Sequence, residues 1–268
     1  MPSQLEMPPK RKATKASVGP KETVAQKKAR VKAEKDAAAA AAAPIPAPPK
    51  KTIVSRTIDT KWDSNVCSKW FDQYRDEDED GAMGPAGIVR LCEELDVSPE
   101  SVKVLVLANK MKARRMGFFQ KDAWMDGMKE LDCDSVPKLK RKLATFEKEL
   151  DDPTFFKSIY SWTFDWAKAT DGITPPKCLD VEIATSLWKL MMSSRRFHHV
   201  NSFITYLTTM HPVKVINKDQ WSNWLEFSKT IKGDLSGYDS SSAWPTLIDN
   251  YVEWYKEQPE QEVTIIDD

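Results

Sequence analysis

From Ile58 to about Tyr255, large apolar residues return at intervals of three and four rather than two. That spacing turns one side of an α-helix inward and does not suit the alternation of a half-buried strand, so it restricts the body of the chain to an all-α fold. The clearest instance is 217-NKDQWSNWLEFSKTI-231. Asn217 can cap it, Gln220 stands three residues on as in a capping box, and Trp221, Trp224, Leu225, Ser228 and Ile231 share one face. Asp219 falls in the first turn, away from that face. The stretch 242-SAWPTLIDNYVEWY-255 obeys the same rules. Pro245 fits the first helical position, Leu247, Ile248, Tyr251, Val252 and Tyr255 form the buried stripe, and Asp249, Glu253 and Lys256 form the wet face, with Ala243 just before the helix.

Eight more segments predict helices: Val66 to Tyr74, Pro85 to Leu95, Glu100 to Met111, Gln120 to Leu131, Val136 to Leu150, Pro153 to Ala169, Asp180 to Met192 and Phe197 to Met210. Loops carrying Gly, Pro or Asp divide them. No repeat of 20 to 50 residues stands out, and no apolar run reaches the roughly 20 residues of a membrane helix.

The first 51 residues differ from the rest. They hold 12 Lys/Arg and 4 Asp/Glu, a balance of +8, so the remainder, with 28 against 36, carries −8 and the formal zero is a cancellation. With an alanine run and PIPAPPKK but almost nothing to bury, residues 1–55 are expected to be a disordered basic tail. Residues 56–258 are expected to form the folded domain, and 259–268 a flexible acidic end. Lys10, Arg11 and Lys12, then Lys27, Lys28 and Arg30 after a spacer, suit the acidic grooves of a nuclear-import receptor, which predicts a nuclear location with the cytoplasm as a second compartment. Loose affinity for phosphate backbones is the alternative. The acidic body offers no specific nucleic-acid reader.

The search for chemistry is mostly negative. Asp76, Asp78 and Asp80 occupy positions 1, 3 and 5 of a calcium loop, with Gly81 at position 6, but position 12, where a bidentate Glu belongs, is Gly87. Cys67, Cys92, Cys133 and Cys178 form no metal-ligand spacing or disulfide framework. Cys133 and Cys178 have Asp neighbours that oppose a thiolate, so both read as buried structural cysteines. Only three histidines are present, no phosphate loop is found, and no cofactor is implied. An interaction protein therefore leads over an enzyme, with a calcium-binding or general interaction module and a cysteine-dependent ligase as rivals.

One constellation rises above this background. Asp219 and Asp249 on two helices, with the small Ala243 leaving room between them, would receive a basic, partly apolar partner. Helix-dipole stabilisation, about 0.3 to 1 kcal/mol for Asp219, and simple solvation of Asp249 are equally available explanations.

Several of these stretches together resemble a known family. NKDQW…LEFS…DLSGYD…AWPTLIDNYVEW, with PESVKVLVLANKMKARRMGFF, WMDGMKELDCDSVPKLK and FKSIYSWTFDWAK, is similar to the defective-in-cullin-neddylation family over residues 58 to 257. The resemblance is to the subfamily with a basic, nuclear-type tail and no ubiquitin-associated domain. It implies a helical potentiating-neddylation domain with two EF-hand-like units lacking calcium. It also implies a non-catalytic co-ligase that binds the winged-helix domain of cullins, the neddylation conjugating enzyme and a RING protein. The family's cullin-binding Asp, Ala and Asp fall on Asp219, Ala243 and Asp249. The pocket for the conjugating enzyme's acetylated N-terminal Met would fall on Ile88, Pro99, Val104, Leu107, Ala108, Met111, Met116, Phe119, Trp166, Leu187 and Leu190. Asn109 stands where many members have Trp, and Ser240 to Ser242 replace a more acidic or glycine-containing run.

Overall fold

Four of the described helices start at a short polar cap. In the computed structural model, which describes residues 61–169 and 174–258, Asp63 Oδ1 accepts from the backbone N–H of Asn65 and Val66 at 2.8 and 3.1 Å and opens α1, Ser64–Phe71. Ser101 Oγ accepts from Lys103 N and opens α3, Val102–Lys110; Asp152 Oδ1 accepts from Phe155 N at 2.7 Å and opens α6, Pro153–Ala167. The helices expected from Val66 and Glu100 therefore begin at residues 64 and 102, directly after the cap residues Asp63 and Ser101. The basic clusters of the tail and the acidic end at 259–268 lie outside the described residues.

The order of elements is α1, β1 (Ala82–Met83), α2 (Pro85–Leu95), α3, β2 (Phe119–Gln120), α4 (Lys121–Glu130), α5 (Val136–Glu149), α6, β3 (Leu179–Asp180), α7 (Val181–Met191), α8 (Val200–Met210), β4 (Val215–Ile216), α9 (Lys218–Thr230) and α10 (Thr246–Glu257). The fold is all-α, with four strands of two residues each among the described residues. Those strands pair antiparallel as β1 with β2, Ala82 opposite Gln120, and β3 with β4, Leu179 opposite Ile216. Each pairing joins the loops of two helix–loop–helix units, so the structure has two paired, EF-hand-like modules where the family resemblance implies two EF-hand-like units. Helix α5 packs on α2 and α3 of the first pair, α3 packs on α6 across the middle, and α10 closes the second pair against α8 and α9.

Aromatic packing fills the centre of the second pair. Trp188, Trp221 and Trp224 are buried, with the Tyr160 ring stacked on Trp221 at 4.6 Å and Phe203 on Trp224 at 3.7 Å. Two of the three indoles are also hydrogen-bonded, whereas the buried Trp224 Nε1 has no partner among the described residues: Trp188 Nε1 donates to Tyr160 Oη at 2.8 Å, Tyr160 Oη to Trp221 O at 2.9 Å, and Trp221 Nε1 to Tyr160 O at 3.0 Å. In the first pair Trp124 takes the same central place, 5.0 Å from Trp70.

The acidic loop after α1 is stabilised by its own chain. Asp76 Oδ1 accepts from Asp78 N and Glu79 N, Asp80 pairs with Arg75, and Glu79 pairs with Arg115. Gly87 lies in the first turn of α2, where a Cβ would run into the Tyr74 carbonyl and Met83. The position that a calcium loop reserves for its bidentate Glu is thus filled by backbone.

Candidate functional site

Helix α9 begins with the capping box read from the sequence: Asn217 Oδ1 accepts from Gln220 N at 2.8 Å and Gln220 Oε1 from Asn217 N at 2.9 Å. The box fixes the first turn, where Asp219 is exposed and accepts from Asn223 Nδ2 at 2.9 Å. Helix α10 starts one residue later than expected, because Pro245 is extended at ψ 138° and serves as the cap. Asp249 lies in its first turn and is half-buried, with Oδ1 accepting from Tyr238 Oη at 2.7 Å. The fully wet position expected for Asp249 is corrected by that bond. Exposed Ala243 precedes Trp244, whose ring meets Phe227 of α9 edge-on at 5.7 Å. Asp219, Ala243 and Asp249 therefore stand on adjoining elements, since α9 and α10 pack on each other.

Neither carboxylate forms an ion pair among the described residues, a state that they share with Asp234 and Asp239 of the loop between α9 and α10. Asp72, Asp96, Asp122, Asp134, Asp165 and Glu226 each face a Lys or Arg within ion-pair distance, whereas among the described residues Asp219 and Asp249 are held only by neutral donors. A neutral donor orients a carboxylate and leaves its charge for a partner.

Sequence reasoning missed the loop between α9 and α10. Asp239 accepts from Ser241 N and Ser241 Oγ, each at 2.8 Å, and these bonds hold its carboxyl below the usual range. Ser236 does the same for Asp234. Ser236 and Ser241 thus stabilise the charged form of the two loop carboxylates by hydrogen bonding. The signal, DLSGYD, carries no period and could have been found only as an Asx-turn pattern.

The second candidate site is an apolar cavity of about 290 Å³. Ile88, Pro99, Val104, Ala108, Met116, Phe119, Trp166, Leu187 and Leu190 line it, which are nine of the eleven residues expected there. Leu107 and Met111 do not. Both are 1 % exposed in the core, and Met111 packs on Gly127. Pro85, Val89, Ser101, Leu105, Gly117 and Phe118 complete the wall. The rim is apolar, with Val89 and Met116 more than 40 % exposed. Asn109 is not among the lining residues.

Burial pushes the thiols of Cys92 and Cys133 up to about 11, so neither supplies a thiolate near neutral pH. Cys178 is half-buried, not buried as expected. Among the described residues no three His, Cys, Asp or Glu gather as metal ligands, and no helix is long and apolar enough to cross a membrane.

The family model described as "Cullin binding" matches residues 138–254, which include both carboxylates. DCN1-like protein 4 of Drosophila melanogaster is 42 % identical over 195 residues, covering 73 % of this chain and 76 % of that protein. Human DCN1-like protein 5 is 42 % identical over 193 residues, 72 % of this chain and 78 % of its own. Human DCN1-like protein 4 is 39 % identical over 207 residues, 76 % and 67 % respectively. With two uncompensated carboxylates on packed helices, an apolar cavity and this extent of identity, the chain belongs to the DCN1-like family of the cullin-binding type.

Proposed function

We propose that this protein is a non-catalytic co-ligase that promotes attachment of a ubiquitin-like modifier to cullins. The observation that carries the reading is the pair Asp219 and Asp249: two carboxylates inside the segment matched by the cullin-binding model, each oriented by a neutral donor and paired with no cation among the described residues. A basic surface on the cullin's winged-helix domain docks there, with Ala243 giving it room. The cavity takes the acetylated N-terminal Met of the conjugating enzyme. Its wall is apolar, so a neutral cap enters where a free ammonium would lose several kcal/mol of hydration.

Catalysis by this protein is positional. Holding the loaded conjugating enzyme and its RING partner beside the target lysine turns an encounter into an oriented approach, which contributes several kcal/mol to the barrier with no side chain of this protein in the chemistry. The basic clusters of the tail direct the protein to the nucleus, and a reporter fused to the chain should lose nuclear enrichment when Lys10, Arg11, Lys12, Lys27, Lys28 and Arg30 become Ala.

A reconstituted cullin-modification rate with wild-type protein and Asp249→Lys tests the co-ligase reading. Acceleration by the wild type that the charge reversal abolishes is expected. No acceleration on any cullin by folded wild type would remove it.

A further inference from the structure

Asp249 does not find its orientation unaided. The Tyr238 ring whose hydroxyl it accepts from is itself fixed, edge-on to Phe227 at 6.3 Å and with the Lys256 ammonium 5.7 Å from its centroid. The loop that carries Tyr238 turns at Leu235 and Gly237, both at positive φ, 63° and 94°. Two further bonds hold it to neighbouring helices: His199 Nε2 donates to Lys232 O at 2.7 Å and Tyr255 Oη to Gly233 O at 3.2 Å. Asp249 therefore has Oδ1 anchored, while no hydrogen bond engages Oδ2 among the described residues.

We propose that Tyr238 is a positioning residue for cullin docking, which holds the Asp249 carboxylate in one rotamer so that Oδ2 meets an incoming Lys or Arg. This rests on the co-ligase reading. An unanchored aspartate would lose rotamer freedom on binding, and a preset one has already lost it. The donor must be neutral, because a Lys in the same place would orient the carboxylate but cancel its charge. Burial and then the Asp249 carboxylate push the Tyr238 hydroxyl up to about 12, so it stays a donor across the working pH range. Asn223 performs the same service for Asp219. The two halves of the patch thus follow one design on different elements.

The test is a double-mutant cycle on the full chain, with affinity for a purified cullin winged-helix domain measured by calorimetry at low ionic strength, where weakened complexes remain measurable. The four proteins are wild type, Tyr238→Phe, Asp249→Ala and the double variant. Tyr238→Phe keeps the ring and removes only the hydroxyl. It should weaken binding about three- to tenfold in the wild-type background and not at all in the Asp249→Ala background. Binding of an N-acetylated conjugating-enzyme peptide should not change. Equal weakening in both backgrounds, which a general folding defect would also produce, overturns a role through Asp249. Unchanged affinity for Tyr238→Phe beside a clear Asp249→Ala defect overturns it while the co-ligase reading stands. Failure of the wild type to bind any cullin domain overturns both.

Discussion

The Tyr251 hydroxyl lies 2.9 Å from His199 Nδ1, inside a core where both residues are fully buried. His199 Nε2 faces the Lys232 carbonyl, so it must carry the ring hydrogen, and Nδ1 is then the acceptor of the Tyr251 O–H. One neutral imidazole thus ties the start of α8 to the end of α9 and to α10. Burial lowers the His199 pKa below its ordinary 6.5, and neighbouring His198 lowers it further, while the Lys232 carbonyl and Asp234 oppose them. The folded value is below the unfolded one, so the unfolded chain takes up the proton first as pH falls. Stability is full above about 6.5 and declines from there through the folded value. Thermal unfolding at about pH 7.5 and 5.5 should show a drop in the wild type that His199→Gln, already less stable, does not share. Parallel drops in both would assign the effect elsewhere.

Lys138 and Asp134 form a buried ion pair, each side chain 7 % exposed, with Nζ 3.0 Å from Oδ1. Asp134 Oδ2 also accepts from Asp63 N at 3.0 Å, which pins the cap of α1 to the loop before α5. Removing the lysine strands a buried carboxylate. Lys138→Met should destabilise the fold by about 3 kcal/mol, and Lys138→Met with Asp134→Leu should recover part of that loss. Denaturant midpoints of the four proteins decide it.

Repairing the acidic loop after α1 should not create a calcium site. Gly87→Glu restores the residue type at position 12, but its Cβ would meet the Tyr74 carbonyl, which cannot move without disturbing the first pair. The expected outcome is a loss of about 2 kcal/mol or more and a flat tryptophan-fluorescence titration at millimolar calcium. A saturable calcium response in the variant would show that the loop can reopen.

What could be read from the chain follows its periodicities. Helix α9 was legible in full, since its cap residues and its Trp221 and Trp224 face are local patterns. Helix α3 was only half legible: Val104 to Ala108 are all buried, so no wet face marks its orientation, and the cavity wall takes Leu105 where Leu107 was expected. The Tyr238 to Asp249 bond was not legible, because it joins a loop without period to a helix eleven residues on. The Asp219, Ala243 and Asp249 set reads as helix-end and surface residues until resemblance or packing brings it together. Loops hide function from a pattern search because their contacts are set by the elements they cross, not by their own spacing.

The cavity gives the sharpest test of the second partner, because Ala108 lines it and is only 3 % exposed. A Trp at that position adds an indole to a space of about 290 Å³ and competes with any side chain that would enter. Ala108→Trp should therefore reduce affinity for an N-acetylated, Met-initiated peptide of the conjugating enzyme by at least about tenfold. Overpacking also strains the core, so the unfolding temperature should fall by a few degrees while the fold persists. Two comparisons separate blockade from damage. On the proposed function the cullin domain docks on α9 and α10, which contribute no residue to the cavity wall, so its affinity should be unchanged in Ala108→Trp. The same peptide with a free amino terminus should bind wild type at least about tenfold more weakly than the acetylated form, since its ammonium is desolvated in an apolar wall. Equal binding of both peptides to wild type would mean that the N-terminus does not enter the cavity, and the space would then belong to some other apolar ligand.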